Sequence, residues 1–416
     1  MQLLVFCLAL GLVTQADACL WDRDTIAHEA QGVPEAIDII VGRFERNPPL
    51  YYQMRRDRAL ELLKREPANL AAYDDAGVAC DRLGDDDQAI DLMQKKAGQL
   101  TLSSSPEKTE QLYREEANLG TFYIHRWIRR GAHRDNMNDV DLASQHIQEA
   151  IRINPNAHFG RERYQLQAIE WIRTPPRPDE NDLSFPTFLQ PQSLKSGSNN
   201  KLSEDAEIQW EMVKMAGHLK DLNELGLGDA VQGLSGLIAL GNAWESIDVF
   251  HALGLVLKIK GRSTISYLAQ LRIEEIIDHG GHSILPQAYD SNQLKEKLSY
   301  LGAALDEKRK PSLVTLYSSL RSSAEKWQAN RTAFMEERLK KGLHPDTDPD
   351  FWAGYKEVPH PALSTWRDHW EAFSLWLWPT MVLGLLVIVA VLLLRAGKKL
   401  VTCAIRRWKR SELNRN

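Results

Sequence analysis

Cysteine is scarce in this chain of 416 residues: there are four, and no two stand in CxxC spacing. That removes the sequence basis for a zinc ribbon or a redox dithiol. GxSxG, HExxH, Walker and GxGxxG patterns are also missing. Nucleophilic, zincin and nucleotide chemistry therefore have no motif to stand on. An excess of one charge is lacking as well. Lys and Arg number 51 against 56 Asp and Glu, and the net charge of -5 gives no electrostatic reason to expect nucleic acid. Two imidazoles at His279 and His282 are too few for a zinc site, and the Gly-Gly between them reads as a helix stop. The run Gly84 to Asp87, "GDDD", lacks the alternating oxygens and closing Glu of a calcium loop, so a solvated turn is expected. No catalytic residue, metal ligand or cofactor is expected.

Long apolar runs are confined to the two ends. Leu3 to Val13 leads into Ala16-Asp17-Ala18, a small-x-small cleavage pattern, so residues 1–18 read as a secretory signal. Cys19 follows directly and admits a lipoprotein as the alternative, although Ala16 and Asp17 depart from a lipobox. Near the other end, residues 372–394 carry no charged side chain and are long enough to span a hydrocarbon core as a helix. Trp370, Trp376 and Trp378 suit the headgroup layer at one edge, and the basic tail 395–416 marks the cytoplasmic side. The expected topology is a single-pass protein of a bacterial inner membrane with its N-terminal body outside. Cys19 and Cys80 would then share the outer compartment, where a disulfide between them is allowed but not implied.

Between these ends lies an internal repeat. "YDDAGVACDRLGDDDQAIDLMQKK" places Tyr73, Gly77, Cys80, Ala89 and Met93 at the aromatic and small positions of a two-helix unit, with Gly84 as its turn. A second unit runs from Tyr113, with Leu119, Gly120, Tyr123, Ala143, Ile147, Ala150 and Pro155 in register. Small residues at Gly77 and Ala89 let two antiparallel helices touch. Relative to the first unit, the second carries eleven extra residues within "HRWIRRGAHRDNMNDVD", read as a lengthened surface turn. A degenerate third copy follows at "FHALGLVLKIKGRSTIS". There Gly254 and Gly261 repeat the seven-residue separation of Gly77 and Gly84, and Ser266 takes the small position. Upstream, Ala36 and Ile40 with a closing Pro48 read as a second helix alone. Ile153-Asn154-Pro155 closes the second unit. The next helix covers the open end of the stack with Tyr164, Ala168, Trp171 and Ile172, leaving Arg161, Glu162 and Arg163 on a solvated face.

At these residues the chain resembles tetratricopeptide repeat proteins. The phrases "CLWDRDT", "YDDAGVACDRLG", "EANLGTFYIH" and "INPNAHFGRERYQ" look like uncharacterised bacterial envelope members of that group. The resemblance implies an all-α fold, a helical-hairpin solenoid over 19–173, and protein or peptide ligands in a groove lined by the first helix of each unit. Carried over position by position, the groove residues would be Asp74, Asp75, Asp81 and Arg82 in the first unit and Asn118, Thr121 and His125 in the second. Asn118 stands out, because an amide can clamp a peptide backbone through donor and acceptor together.

A Pro-rich then Ser/Gly/Asn-rich stretch, 174–203, reads as an extended linker, and a second helical region occupies 204–342. Its last parts read as two long amphipathic helices from Gln293 to Gly342. The stripe Leu313, Leu316, Tyr317, Leu320, Ala324 and Trp327 serves either packing on the body or self-association. A turn-rich segment, 343–371, leads to the anchor. The leading expectation is a membrane-anchored scaffold for protein or peptide partners. The alternatives are a membrane-bound enzyme or metal-binding protein using the second helical region, and a spacer whose long helices set a homo-oligomer.

Overall fold

Local capping chemistry sets both ends of the helix Leu70–Leu83. The computed structural model describes residues 36–102, 107–155, 157–174, 185–191, 210–214, 221–285 and 289–361, and all regular structure among them is helical. Contacts divide the chain into Met1–Val358 and Pro359–Asn416. Only residues 359–361 of the second unit are described. The expected signal (1–18), membrane span (372–394) and basic tail (395–416) lie outside the described residues. Among the described residues no helix is long and apolar enough to cross a membrane.

In chain order the helices are α1 (Ala36–Val41), α2 (Pro49–Arg65), α3 (Leu70–Leu83), α4 (Asp86–Leu102), α5 (Lys108–Arg129), α6 (Asn138–Ile153) and α7 (Arg161–Arg173). After the expected linker come α8 (Ala230–Ala239), α9 (Ile247–Ile259), α10 (Ser263–Asp278), α11 (Ser291–Leu298) and α12 (Lys310–Leu339). Asn69 caps α3 by accepting a hydrogen bond from the Ala72 amide, and Gly84 ends it at φ +82°, where a side chain would be strained. Gly261 ends α9 at φ +73°, so the two glycines matched by spacing perform the same turn.

Close approach explains the small residues of the repeat. A Cβ at Gly77 would lie 2.8 Å from Met93 Cε on α4 and 3.3 Å from Phe122 on α5. At Gly120 it would meet Ile147 of α6 at 2.6 Å, with the Ile147 backbone nitrogen at 3.1 Å. Gly254 of the third copy is pressed against Leu301 and Ala269, and the Ser266 hydroxyl donates to its carbonyl at 2.8 Å. Thus α3/α4, α5/α6 and α9/α10 pack as three hairpins. Tyr73, Ala89, Leu119, Tyr123, Ala143 and Ala150 are all buried, while Pro155 ends its hairpin at the surface.

Four expectations change. The "HRWIRR" part of the insertion is not a surface turn: it adds turns to α5, and only 130–137 lies outside helix. Trp127 holds that extension by donating to the carbonyls of His133 and Asn136, at 3.2 and 3.0 Å. Second, Arg161 and Glu162 do not face solvent. They are 1% and 2% exposed, because α8 packs over α7 and Tyr113 donates to Glu162 at 2.7 Å. Third, the segment after Gln293 is no long helix. It ends at Leu298 and turns into a short 3-10 stretch, since Gly302 must approach Tyr267 too closely for any side chain. Fourth, α2 was not expected. Its buried face is Tyr51, Arg55 and Ala59, and Arg55 pairs with Asp346 at 2.6 Å.

One apolar core draws on helices from both sides of the expected 174–203 linker, from Ile39 to Ala324. Helix α9 is its centre: every residue from Ile247 to Ile259 is buried, as a helix apolar on nearly all sides requires. The described part of the linker, 185–191, buries Phe185, Phe188 and Leu189. The α12 stripe also faces inward, with Leu313, Tyr317, Leu320, Ala324 and Trp327 each no more than 7% exposed. That face is spent on the chain's own body.

Gly120→Ala is expected to cost about 1–3 kcal/mol through overpacking against Ile147. The further loss on Ile147→Ala should be smaller in that background than in the parent chain. Urea unfolding of the four proteins checks this, and strictly additive losses would contradict the close approach.

Candidate binding cavity

The groove residues inferred from the repeat lie on α3 and α5. They are engaged with the chain itself. Asp74 accepts two hydrogen bonds from Lys96 Nζ, at 2.7 and 2.8 Å, and a third from Asn118 Nδ2 at 3.2 Å. Lys96 and Asn118 have no exposed surface, and Asp75 is buried as well. Thr121 donates to the Ala117 carbonyl at 2.8 Å and accepts from Gln165 Nε2 at 3.1 Å. Asn118, singled out as a peptide clamp, therefore works inside the body.

The other three residues meet a turn from the second half of the chain. Arg82 Nη1 donates to Asn242 Oδ1 at 2.9 Å, and Nη2 donates to the Leu240 carbonyl. His125 sits between Asp81, at 2.8 Å from Nδ1, and the Gly241 carbonyl, at 3.2 Å from Nε2. Asn242 is held at φ +64°, a conformation costly for most side chains but tolerated by Asn. The 240–242 turn thus covers Arg82 and His125, two of the positions expected to line a groove.

Asp81 anchors this closure. Burial alone would raise its pKa, yet His125, Arg129 and Arg82 more than offset that and lower it to about 2. Arg129 reaches Asp81 at 3.0 Å and also pairs with Asp86. Arg126 and Arg130 pair with Asp87, at 2.7 and 2.8 Å. Asp86 and Asp87 of "GDDD" are therefore paired with arginines at and just beyond the end of α5. Those arginines and that acidic turn belong together, although nothing in the local spacing joins them.

Beside the closing turn a cavity of about 430 Å³ remains, between α5, α7, the turn 241–246 and the segment 282–284. Apolar walls come from Ile124, Ile169, Ile172, Phe188 and Val249, with Ile128 at 44% exposure among the lining residues. Such a volume with largely apolar walls is typical of small-ligand sites. Asp248 lines it too. Burial pushes its carboxyl up, while Ser283 Oγ and the Ile284 amide donate to it at 2.6 and 2.9 Å. Two polar atoms in the lining residues have no partner among the described residues: Gln165 Oε1 and Trp171 Nε1. Of the two histidines weighed as ligands, exposed His282 lines the cavity, whereas His279 turns its Nδ1 to the Glu275 carbonyl at 2.7 Å. Gly280 stops α10 at φ +87°, as the Gly-Gly reading implied.

Sequence reasoning did not identify Gln165, Trp171 and Asp248 as a set. Trp171 reads as a core position, and only the tertiary fold brings 241–248 against α7. Cys80 carries a free thiol, buried and hydrogen-bonded to Gln88 Oε1 at 3.0 Å; burial pushes its pKa up to about 12. In the second region, His251 contacts the Tyr300 hydroxyl at 2.6 Å, and burial together with Lys214 lowers its pKa to about 3. Among the described residues no three His, Cys, Asp or Glu side chains converge as for a metal. No protein-family model matches the chain, and neither a curated protein nor a solved structure does.

Two outcomes follow from the charges. Asp81→Asn removes the buried charge that His125, Arg129 and Arg82 compensate and should cost about 1–3 kcal/mol, read by urea unfolding at pH 7. A loss within error would contradict the anchoring role. Glu115 offers a pH test: burial, reinforced by Glu116, raises its carboxyl to about 7 from an ordinary 4.5. Between those values the unfolded chain has released the proton and the folded chain keeps it, so its contribution to stability falls as pH rises. Glu115→Gln should remove a slope approaching about 1.4 kcal/mol per pH unit between pH 5 and 7. Unchanged slopes would contradict the assignment.

Proposed function

We propose that this chain is a non-enzymatic binding protein of the cell envelope. In this reading its tetratricopeptide-like helical body lies outside the inner membrane, residues 372–394 anchor it, and it scaffolds a protein or peptide partner. No cofactor and no nucleic acid take part. One observation carries the reading: the inner face is closed by the 240–242 turn, yet an apolar cavity is left beside it among α5, α7 and the 241–246 turn. The partner then engages by inserting an apolar group into the cavity, not by lying along the groove of a repeat array. Ionic groups near the cavity support binding over catalysis, since Asp81 and Asp248 are already committed to internal donors.

Photo-crosslinking tests this with the full-length protein in its own membrane. A benzophenone side chain at Ile128, a residue lining the cavity, should give a discrete crosslinked partner. Ala168→Phe, which fills the cavity from α7, should reduce that product about tenfold without lowering the melting temperature. A product untouched by filling the cavity would contradict the reading.

A further inference from the structure

Three arginines crowd the Trp244 ring: the guanidinium carbons of Arg272, Arg46 and Arg321 stand 3.8, 5.0 and 5.2 Å from its centroid. Arg272 pairs with Glu245 and Glu275, and Arg321 pairs with Glu275 and Glu325. Arg46 has no carboxylate partner among the described residues. Burial, followed by Arg321 and Arg272, lowers its pKa to about 10. Arg46 and Arg321 line an open cleft of about 510 Å³ along one side of α12, where the small side chains of Ala329 and Ala333 leave room. It shares no lining residue with the cavity beside α7.

Gln328 sets the polarity of this cleft. It pairs with the Arg46 backbone, Oε1 accepting from the amide at 3.3 Å and Nε2 donating to the carbonyl at 2.8 Å. The same Nε2 donates to Thr332 Oγ at 2.8 Å, so the threonine hydroxyl must give its own proton elsewhere. Thr315 and Ser318 of the same helix give theirs to the carbonyl four residues back, whereas Thr332 has no acceptor among the described residues. At Arg46, Nη1 is sealed from solvent, while Nε and Nη2 keep surface and make no hydrogen bond among the described residues. Those two nitrogens form one edge of the guanidinium, the fork with which Arg55 grips both oxygens of Asp346.

We propose that the cleft is a site for a small phosphate-type oxyanion, two oxygens held by the Nε/Nη2 edge of Arg46 and a third by the Thr332 hydroxyl. A carboxylate has only two oxygens and would leave Thr332 unmet. Glu325 and Glu336, already paired with Arg321 and Lys340, stand at opposite ends of the cleft and repel a long polyanion.

Calorimetry on the full-length protein should show inorganic phosphate binding about tenfold more tightly than acetate. Thr332→Val, which keeps the side chain's size, should remove most of that preference while leaving acetate affinity unchanged. Arg46→Lys keeps the charge but removes the fork, and should weaken both anions. Glycerol phosphate and dioctanoyl phosphatidic acid distinguish the sources: equal affinity assigns a soluble ester, tighter binding of the lipid assigns a head group, and either keeps the site. No binding of millimolar phosphate, or equal affinity for phosphate and acetate in the unmodified protein, overturns the proposal, and neither result needs a variant to fold. Phosphate affinity unchanged in both Arg46→Lys and Thr332→Val places the anion elsewhere and overturns it as well.

Discussion

A carboxylate without access to water needs compensating positive charge, and Asp81 is that group here: His125 and Arg129 both meet its Oδ1, while Oδ2 has no hydrogen-bond partner among the described residues. It has no exposed surface, and His125, Arg129 and Arg82 together keep it ionised. His125 and Arg82 are the side chains that also hold the 240–242 turn. Arg129 in turn ties Asp81 to the acidic turn between α3 and α4. The demand of one buried charge therefore links the first hairpin, the extension of α5 and the second half of the chain. If the charge is removed, the turn loses the reason its two holders are positioned where they are.

The same linkage decides what the inner face can do. A stack of helical hairpins presents its first helices to a ligand only while that surface is open. Here Asp74 is turned inward onto Lys96 and Asn118, and the 240–242 turn occupies the neighbouring stretch. What remains is the cavity next to that turn, where packing of α8 and α9 against α5 and α7 is incomplete. Binding is thereby moved from a linear groove to a bounded pocket, a change that favours insertion of an apolar group over clamping of a chain along its length.

Much of the helical framework was legible, because close approach leaves a direct mark in sequence. Gly77, Gly120 and Gly254 each stand where a Cβ would fall within 3 Å of a neighbouring helix, and Gly84 and Gly261 mark left-handed turns. Helix α2 escaped notice because its inward face includes Arg55, whose partner Asp346 lies almost three hundred residues later. Arg161 and Glu162 read as a solvated face for a related reason: a charged residue looks exposed until the helix that covers it is known. The cavity was invisible on both counts. Its walls read as ordinary core, and Gln165 and Trp171 join them only once the 241–248 segment is placed against α7.

The central claim, that a turn from the second half closes the inner face of the first, is tested most directly by chemical proximity. Cysteines substituted at Arg82 and Asn242 in the full-length protein, treated with a short thiol-specific crosslinker, should join within one chain under native conditions and fail to join in urea. Peptide mapping should find the two sites in a single linked fragment. Native protein in which both cysteines react singly and never with each other would contradict the account.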